Sequence, residues 1–322
     1  MRVPPASGPV LLTCSVGGHF TELEFLVDSQ GLGDADRHWA VPEHPQTSHR
    51  LADADVTWMP RIYSRDLAGA VRNLRLAFAL HRRVRPSRVV TTGAAQVVPH
   101  LLAAAYHGTP ITFVESVARL DGPSLTGRLA ARLPQARLLA PRPGWGGRWT
   151  HAADAFSAFA AEPTAPAAPI STATVALGSE KYPFPRAIRE VEHALGDVAV
   201  TWQVGNSPAP DGVARNQWLL PGELDDAMVS SSVVITHGGA GSILTALAAG
   251  RVPVVMPRDP AQGEHCDDHQ LRMAEDLAAR GLVVVVRPGE ELSPAHLRRA
   301  SAHQVRRLTA PAPHVRPVPL VA

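Results

Sequence analysis

Short, unbroken apolar runs set between stretches of helical spacing constrain this chain most. In its second half, residues 172–177, 198–203, 233–236, 254–256 and 282–286 are such runs. They do not alternate apolar with polar residues, so each strand is expected to be buried on both faces, as in a parallel sheet covered by helices. Helical patterns fall between them at 185–195, 241–250 and 268–280. A last helix over 293–308 leads into a Pro-rich tail expected to be poorly ordered.

The first half repeats the scheme. Residues 9–15, 88–91 and 111–114 read as strands, and 21–27 and 97–106 as helices. The best amphipathic helix spans 66–84. Leu67, Val71, Leu74 and Phe78 form its stripe, Arg72, Arg75, Arg82 and Arg83 lie mostly off it, and Pro86 stops it. Residues 160–169 carry three prolines and no strand or helix signal. The 322 residues therefore divide into an α/β domain over 1–160, a linker over 161–170 and an α/β domain over 171–322. Both are expected to be Rossmann-like, facing a central cleft at the carboxyl ends of their strands.

Hydrophobic residues make up 45% of the chain, enough for two cores. No apolar run reaches the ~18 residues of a membrane span, and no charged-then-apolar leader opens the chain, so a cytoplasmic location is expected. Two distant cysteines, Cys14 and Cys266, exclude a disulfide framework. Thirty of the 31 basic residues are Arg, which reads as coding bias. The net charge of +2 divides into +5 over residues 1–160 and −3 over 161–322. That is too weak for nucleic acid, but it suits a first half that meets an anionic membrane surface.

Three motifs could carry chemistry. The sharpest is His237-Gly238-Gly239-Ala240-Gly241-Ser242, between a strand and a helix. Its glycines admit close backbone approach, and the helix start supplies free N–H groups, which is how a protein holds a phosphate without a metal. A tight turn that merely needs small residues is the plainer reading. The motif lacks the third glycine of a dinucleotide fingerprint and the Lys of a P-loop.

The second motif is the polar cluster 263–270. His265, Asp267, Asp268 and His269 could in principle bind metal, but neighbours at a helix start point in different directions, so no metal site is read there. Asp267 or Asp268 is expected to cap the helix, and Gln270 and its neighbours to reach sugar hydroxyls. Third, His19 follows Gly17 and Gly18 at the end of the first strand, where an imidazole with a pKa near 6.5 suits a general base. It could equally be a plain surface residue. The Asp-Ala-Asp triplets at 34–36 and 53–55 read as solvated acids.

These residues resemble a known family. HGGAGSILTALAAG, MPRDPAQGEHCDDHQLRMAEDL and residues 177–184 are similar to the catalytic subunit of bacterial exopolysaccharide glycosyltransferases of the PssE and EpsF type. SVGGHFTEL, TTGAAQVVPHLLAAA and FVESVARLDGPSLTGRL resemble the partner subunit, PssD. The same pair resembles the eukaryotic two-subunit enzyme that adds the second N-acetylglucosamine to a dolichol-linked sugar, and all are MurG relatives. Here the two parts are fused.

The resemblance implies a GT-B fold and an inverting transferase that uses a UDP-sugar without metal or resident cofactor. The acceptor would be a glycan, a polyprenyl-linked sugar or a small molecule, with peripheral contact to an anionic membrane. On the donor side it implies His237, Gly238, Gly239, Ala240, Gly241 and Ser242 at the diphosphate. Gly178, Ser179, Thr245, Asp268, His269 and Gln270 would lie around the rest of the donor. It implies Gly17, Gly18, Gly93 and Arg119 on the acceptor side, and His19 or Glu115 as base. Thr245 stands where relatives have a ribose-binding Glu. The rivals are a sugar-nucleotide 2-epimerase of the same architecture and a non-catalytic nucleotide-sugar-binding subunit.

Overall fold

The structure, a computed structural model, describes residues 8–29, 36–62, 67–152, 154–164, 169–178, 182–213 and 218–308. The chain divides into two compact units, with the boundary along the chain between Ala155 and Phe156.

The first unit runs β1 (Val10–Thr13), α1 (Gly18–Ser29), β2 (Arg37–Pro42), α2 (Pro45–Arg50), β3 (Val56–Met59), α3 (Leu67–Val84) and β4 (Arg88–Thr91). It continues with α4 (Val98–His107), β5 (Ile111–Val114), α5 (Leu125–Ala130), β6 (Ala136–Ala140) and β7 (Trp149–His151). Its seven-stranded sheet has the order β3-β2-β1-β4-β5-β6-β7, with every pairing parallel. Chain direction across the sheet reverses between β1 and β4. In a doubly wound sheet, ligands bind at the carboxyl ends of the strands flanking that reversal.

The second unit runs β8 (Phe159–Pro163), β9 (Thr172–Ala176), α6 (Pro185–Leu195), β10 (Ala199–Gln203), α7 (Pro221–Ser230), β11 (Val233–His237) and α8 (Ala240–Ala248). β12 (Val254–Met256), α9 (His269–Ala279), β13 (Val284–Val285), α10 (Pro294–Ser301) and β14 (His303–Arg307) complete it. Five parallel strands lie in the order β10-β9-β11-β12-β13, so the reversal falls between β9 and β11. Ala173, Val175 and Leu177 pack into one core and Ala176 into another with Met228, Val234 and Ala246. Burial on both faces explains the unbroken apolar runs.

Four expectations are corrected. Residues 159–163, partly read as linker, form strand β8, which pairs antiparallel with β14. The last helix ends at Ser301, and 303–307 extend into that ribbon. Polar residues sit on both strands because the ribbon lies outside the main sheet, so neither shows a buried-strand pattern. The first helix begins at Gly18, which places His19 in its first turn and not on a loop.

The fourth correction concerns α3. Its buried face is Gly69, Asn73, Ala77, Leu80 and His81, whereas Val71 is 56% exposed and Leu74 and Phe78 are half-buried. Val71, Leu74 and Phe78 of the expected stripe lie off that buried face. Small residues on the core face let α3 pack closely, and they carry little hydropathy signal. Ser179, both termini and the segment containing Asp34 lie outside the described residues.

Candidate functional site

Both reversal points carry glycine loops. In the second unit Gly178 follows β9, and Gly238 and Gly239 follow β11. The His237 ring lies between two of these glycines. A Cβ on Gly178 would come within 2.4 Å of it, and one on Gly239 within 2.3 Å. Gly178 also has φ +74°, a left-handed conformation that favours glycine. His237 Nδ1 lies 3.3 Å from the Ala176 carbonyl. A carbonyl only accepts, so Nδ1 carries the proton. Burial, and then the Arg258 charge, hold the imidazole neutral, with a pKa near 3.

Gly239 caps α8, whose first residues Ala240, Gly241 and Ser242 present their N–H groups at the helix start. Thr245 donates to the Gly241 carbonyl within the helix. Gly238 packs on Gln270, whose Cβ would lie 2.7 Å from a Cβ on Gly238. Gln270 is buried, and its Oε1 accepts from the Arg258 N–H. The structure thus brings His237, the glycine turn, Gly178 and Gln270 together.

Asp268 pairs with Arg272, and Asp267 accepts from the His269 N–H at the start of α9. The 265–269 side chains do not diverge as expected. One donor atom from each of His265, Asp267 and His269 lies within 4.8 Å of the other two, with Asp267 Oδ1 beside Nδ1 of both imidazoles. The bend before α9 turns alternate residues to one side. Among the described residues, this is the group with donor atoms gathered closely enough to hold a metal.

In the first unit Gly17 (φ +80°) follows β1 and Gly93 (φ +97°) follows β4. A Cβ on Gly93 would sit 3.1 Å from the Phe113 ring. The neighbouring Ala94 has φ 69°, a strained value for a non-glycine residue of the kind that gathers at functional loops. Thr92 Oγ1 donates to the His19 carbonyl at 2.8 Å, which joins the first turn of α1 to the loop after β4. The His19 ring is hydrogen-bonded to the Thr92 backbone, and Nδ1 is buried without a partner. Burial lowers its pKa and keeps it neutral at pH 7.

Glu115 is 2% exposed. Its Oε2 accepts from the Ser124 N–H and hydroxyl at 2.9 and 3.0 Å, and a Cβ on Gly127 would meet the same oxygen. The carboxylate holds the 116–124 loop against α5, and burial raises its pKa. Arg119 is exposed and donates to the Gly122 carbonyl. Beside Glu115, Glu22 accepts from the Ser116 hydroxyl, and burial pushes its pKa to about 8. Glu22, Glu115 and Asp154 line one small cavity.

Sequence reasoning missed two residues. Trp218 is 48% exposed, and its ring lies 3.5 Å from a Cβ placed on Gly205, after β10. An exposed Trp in a parallel-sheet domain was the available signal. Arg258 is 1% exposed, and nothing in the sequence distinguished it from the other arginines.

Residues 174–309 match the glycosyltransferase family 28 C-terminal domain. No curated protein matches the chain. Among solved structures, the chain is similar to MurG of Acinetobacter baumannii, with 14% identity, 90% of this chain and 89% of that one covered, and a TM-score of 0.53. It is similar to the spinosyn forosaminyltransferase SpnP at 16% identity, covering 91% and 89%, with a TM-score of 0.59. It also resembles SsfS6 of Streptomyces sp. SF2575 in complex with thymidine diphosphate, at 18% identity, 92% and 90% coverage and a TM-score of 0.53. The fold is GT-B. The GT-B likeness covers both units, whereas the family match lies in the second. Among the described residues, no helix is long and apolar enough to cross a membrane.

Proposed function

We propose that the protein is an inverting, metal-independent glycosyltransferase. It would move a sugar from a UDP-sugar to a hydroxyl of a glycan, lipid-linked or natural-product acceptor. One observation carries this reading. The segment matching the family 28 domain includes the reversal point where α8 aims its N–H groups beside His237 and Gln270. A helix start beside glycines is a site for a departing diphosphate, whose growing charge the N–H groups and helix dipole stabilise. Trp218 offers a face for the nucleobase.

On the acceptor side His19 serves as base. Its imidazole, held neutral by burial, takes the hydroxyl proton as the oxygen attacks the anomeric carbon and the bond to the diphosphate breaks. Glu115 is the weaker candidate because its carboxylate is already engaged with Ser124. We also place the protein at anionic membranes, through the outward stripe of α3.

Thymidine diphosphate is the second nucleotide to test, because SsfS6 was solved in complex with it. In chelator, UDP or TDP at 100-fold above its dissociation constant should stabilise the protein by about 2.7 kcal/mol in a thermal melt. Stabilisation that appears only with Mn²⁺ would refute metal independence, and none with either nucleotide would refute the donor site.

A further inference from the structure

We propose that Arg258 is a positioning residue, a buried guanidinium that sets the donor loops around His237 and Gln270 without touching the ligand itself. The inference rests on the donor-site reading above. The fork of Arg258 spans separate pieces of chain. Nη2 donates to the Leu177 carbonyl at 2.9 Å and Nη1 to the Tyr182 carbonyl at 2.6 Å, bracketing the segment that begins with Gly178. Nη1 also reaches the Glu264 carbonyl at 3.4 Å, while the Arg258 N–H holds Gln270. One residue therefore joins the end of β9, the loop after β12 and the first turn of α9.

The surroundings fix the fork in place. Its guanidinium lies 4.7 Å from the centroid of the Phe184 ring, and Arg186 lies 5.1 Å from the same ring. Arg186 grips Glu264 through two nitrogens, at 3.2 and 2.9 Å, and donates to the Pro257 carbonyl at 2.8 Å. Glu264 also accepts from the Asp259 N–H. The loop that presents Arg258 is thus itself tied down.

A flat, forked donor is needed to serve two carbonyls while stacking on a ring, and the single nitrogen of Lys cannot do both. If the role were only to fill space, a buried apolar side chain would serve as well, because burying a charge is costly. The Arg258 charge also helps keep His237 neutral, with His265 and His269 as weaker contributors.

The test compares R258K and R258M with the wild type in two measurements at matched thermal stability. Calorimetry with UDP and TDP should show at least tenfold weaker binding in R258M and partial recovery in R258K. NMR titration of the ligand-free His237 imidazole should move upward in R258M and stay near the wild-type value in R258K. If R258M does not fold, F184L, which removes the stacking ring and keeps the charge, should weaken nucleotide binding without moving the titration. Unchanged binding and an unchanged titration in the folded R258M, or unchanged binding in F184L where R258M does not fold, would overturn the proposal. Failure of the wild type to bind either nucleotide would overturn the donor reading instead, while the ligand-free titration would still decide whether Arg258 acts on His237.

Discussion

Gly239 has φ −84° and ψ 132°, a conformation open to any residue, yet a Cβ there would strike the His237 ring. Gly239→Ala therefore isolates the clash from backbone strain. It should leave the fold intact and weaken nucleoside diphosphate binding at least tenfold by calorimetry. Unchanged affinity would place the ring away from the ligand. His19 belongs to the first unit. His19→Ala should cut turnover by about 10²–10⁴, the usual contribution of a general base, while leaving donor affinity unchanged. Equal loss of donor binding would make His19 a binding residue, and unchanged turnover would return attention to Glu115. The glycines and histidines of these motifs were legible in the sequence, since their spacing between strand and helix names the turn. Arg258 was not, because its role depends on carbonyls from 76 and 81 positions away along the chain.

At the scale of an element, α3 shows how periodicity can mislead. Its apolar stripe would ordinarily be the buried face, but Gly69, Asn73, Ala77, Leu80 and His81 are buried instead. Val71, Arg75, Phe78 and Arg82 share the outer face, and Phe78 meets Tyr106 of α4 at 5.3 Å between ring centroids. Tyr106 is 76% exposed, and Leu102 is exposed beside it on α4. An apolar surface edged by arginines suits shallow docking on an anionic leaflet, at about 1 kcal/mol per basic residue. The protein should co-sediment with anionic liposomes at low salt and be released at ~0.5 M salt. Changing Arg72, Arg75, Arg82 and Arg83 to Gln should abolish binding without unfolding. A wild type that ignores such liposomes would favour a soluble acceptor.

For the whole molecule, buried titratable groups set the pH range of stability. Burial lowers His81 to about 3 and His100 to about 4, and both rings are buried without hydrogen-bond partners. With His237 near 3, three imidazoles stay neutral in the fold but take up protons near pH 6.5 once unfolded. Their contribution is complete above about pH 6.5 and falls below it, by up to about 1.4 kcal/mol per pH unit for each group. Glu22 acts oppositely. Its folded pKa of about 8 exceeds the unfolded value, so its contribution is lost as pH rises through that range. Stability should peak near pH ~6.5, with Tm falling toward pH 5 and, more gently, between pH ~6.5 and about 8, above which Glu22 adds no further decline. Glu22→Gln should remove the decline between pH ~6.5 and about 8 and His81→Leu should reduce the acid one. A flat Tm between pH 5 and 7 would contradict the assigned burial.

The sequence by itself determined the layered α/β architecture and the position of the glycine turn, because continuous apolar runs and strand-to-helix glycines are local signals. Only the tertiary structure decided the strand orders, and with them which glycine loops share a reversal point. It also paired 159–163 with 303–307, since a ribbon strand is defined by a partner more than a hundred residues away. The outward turn of the α3 stripe and the burial of Arg258 depend likewise on distant chain, because packing space and hydrogen-bond acceptors come from residues that local pattern does not encode.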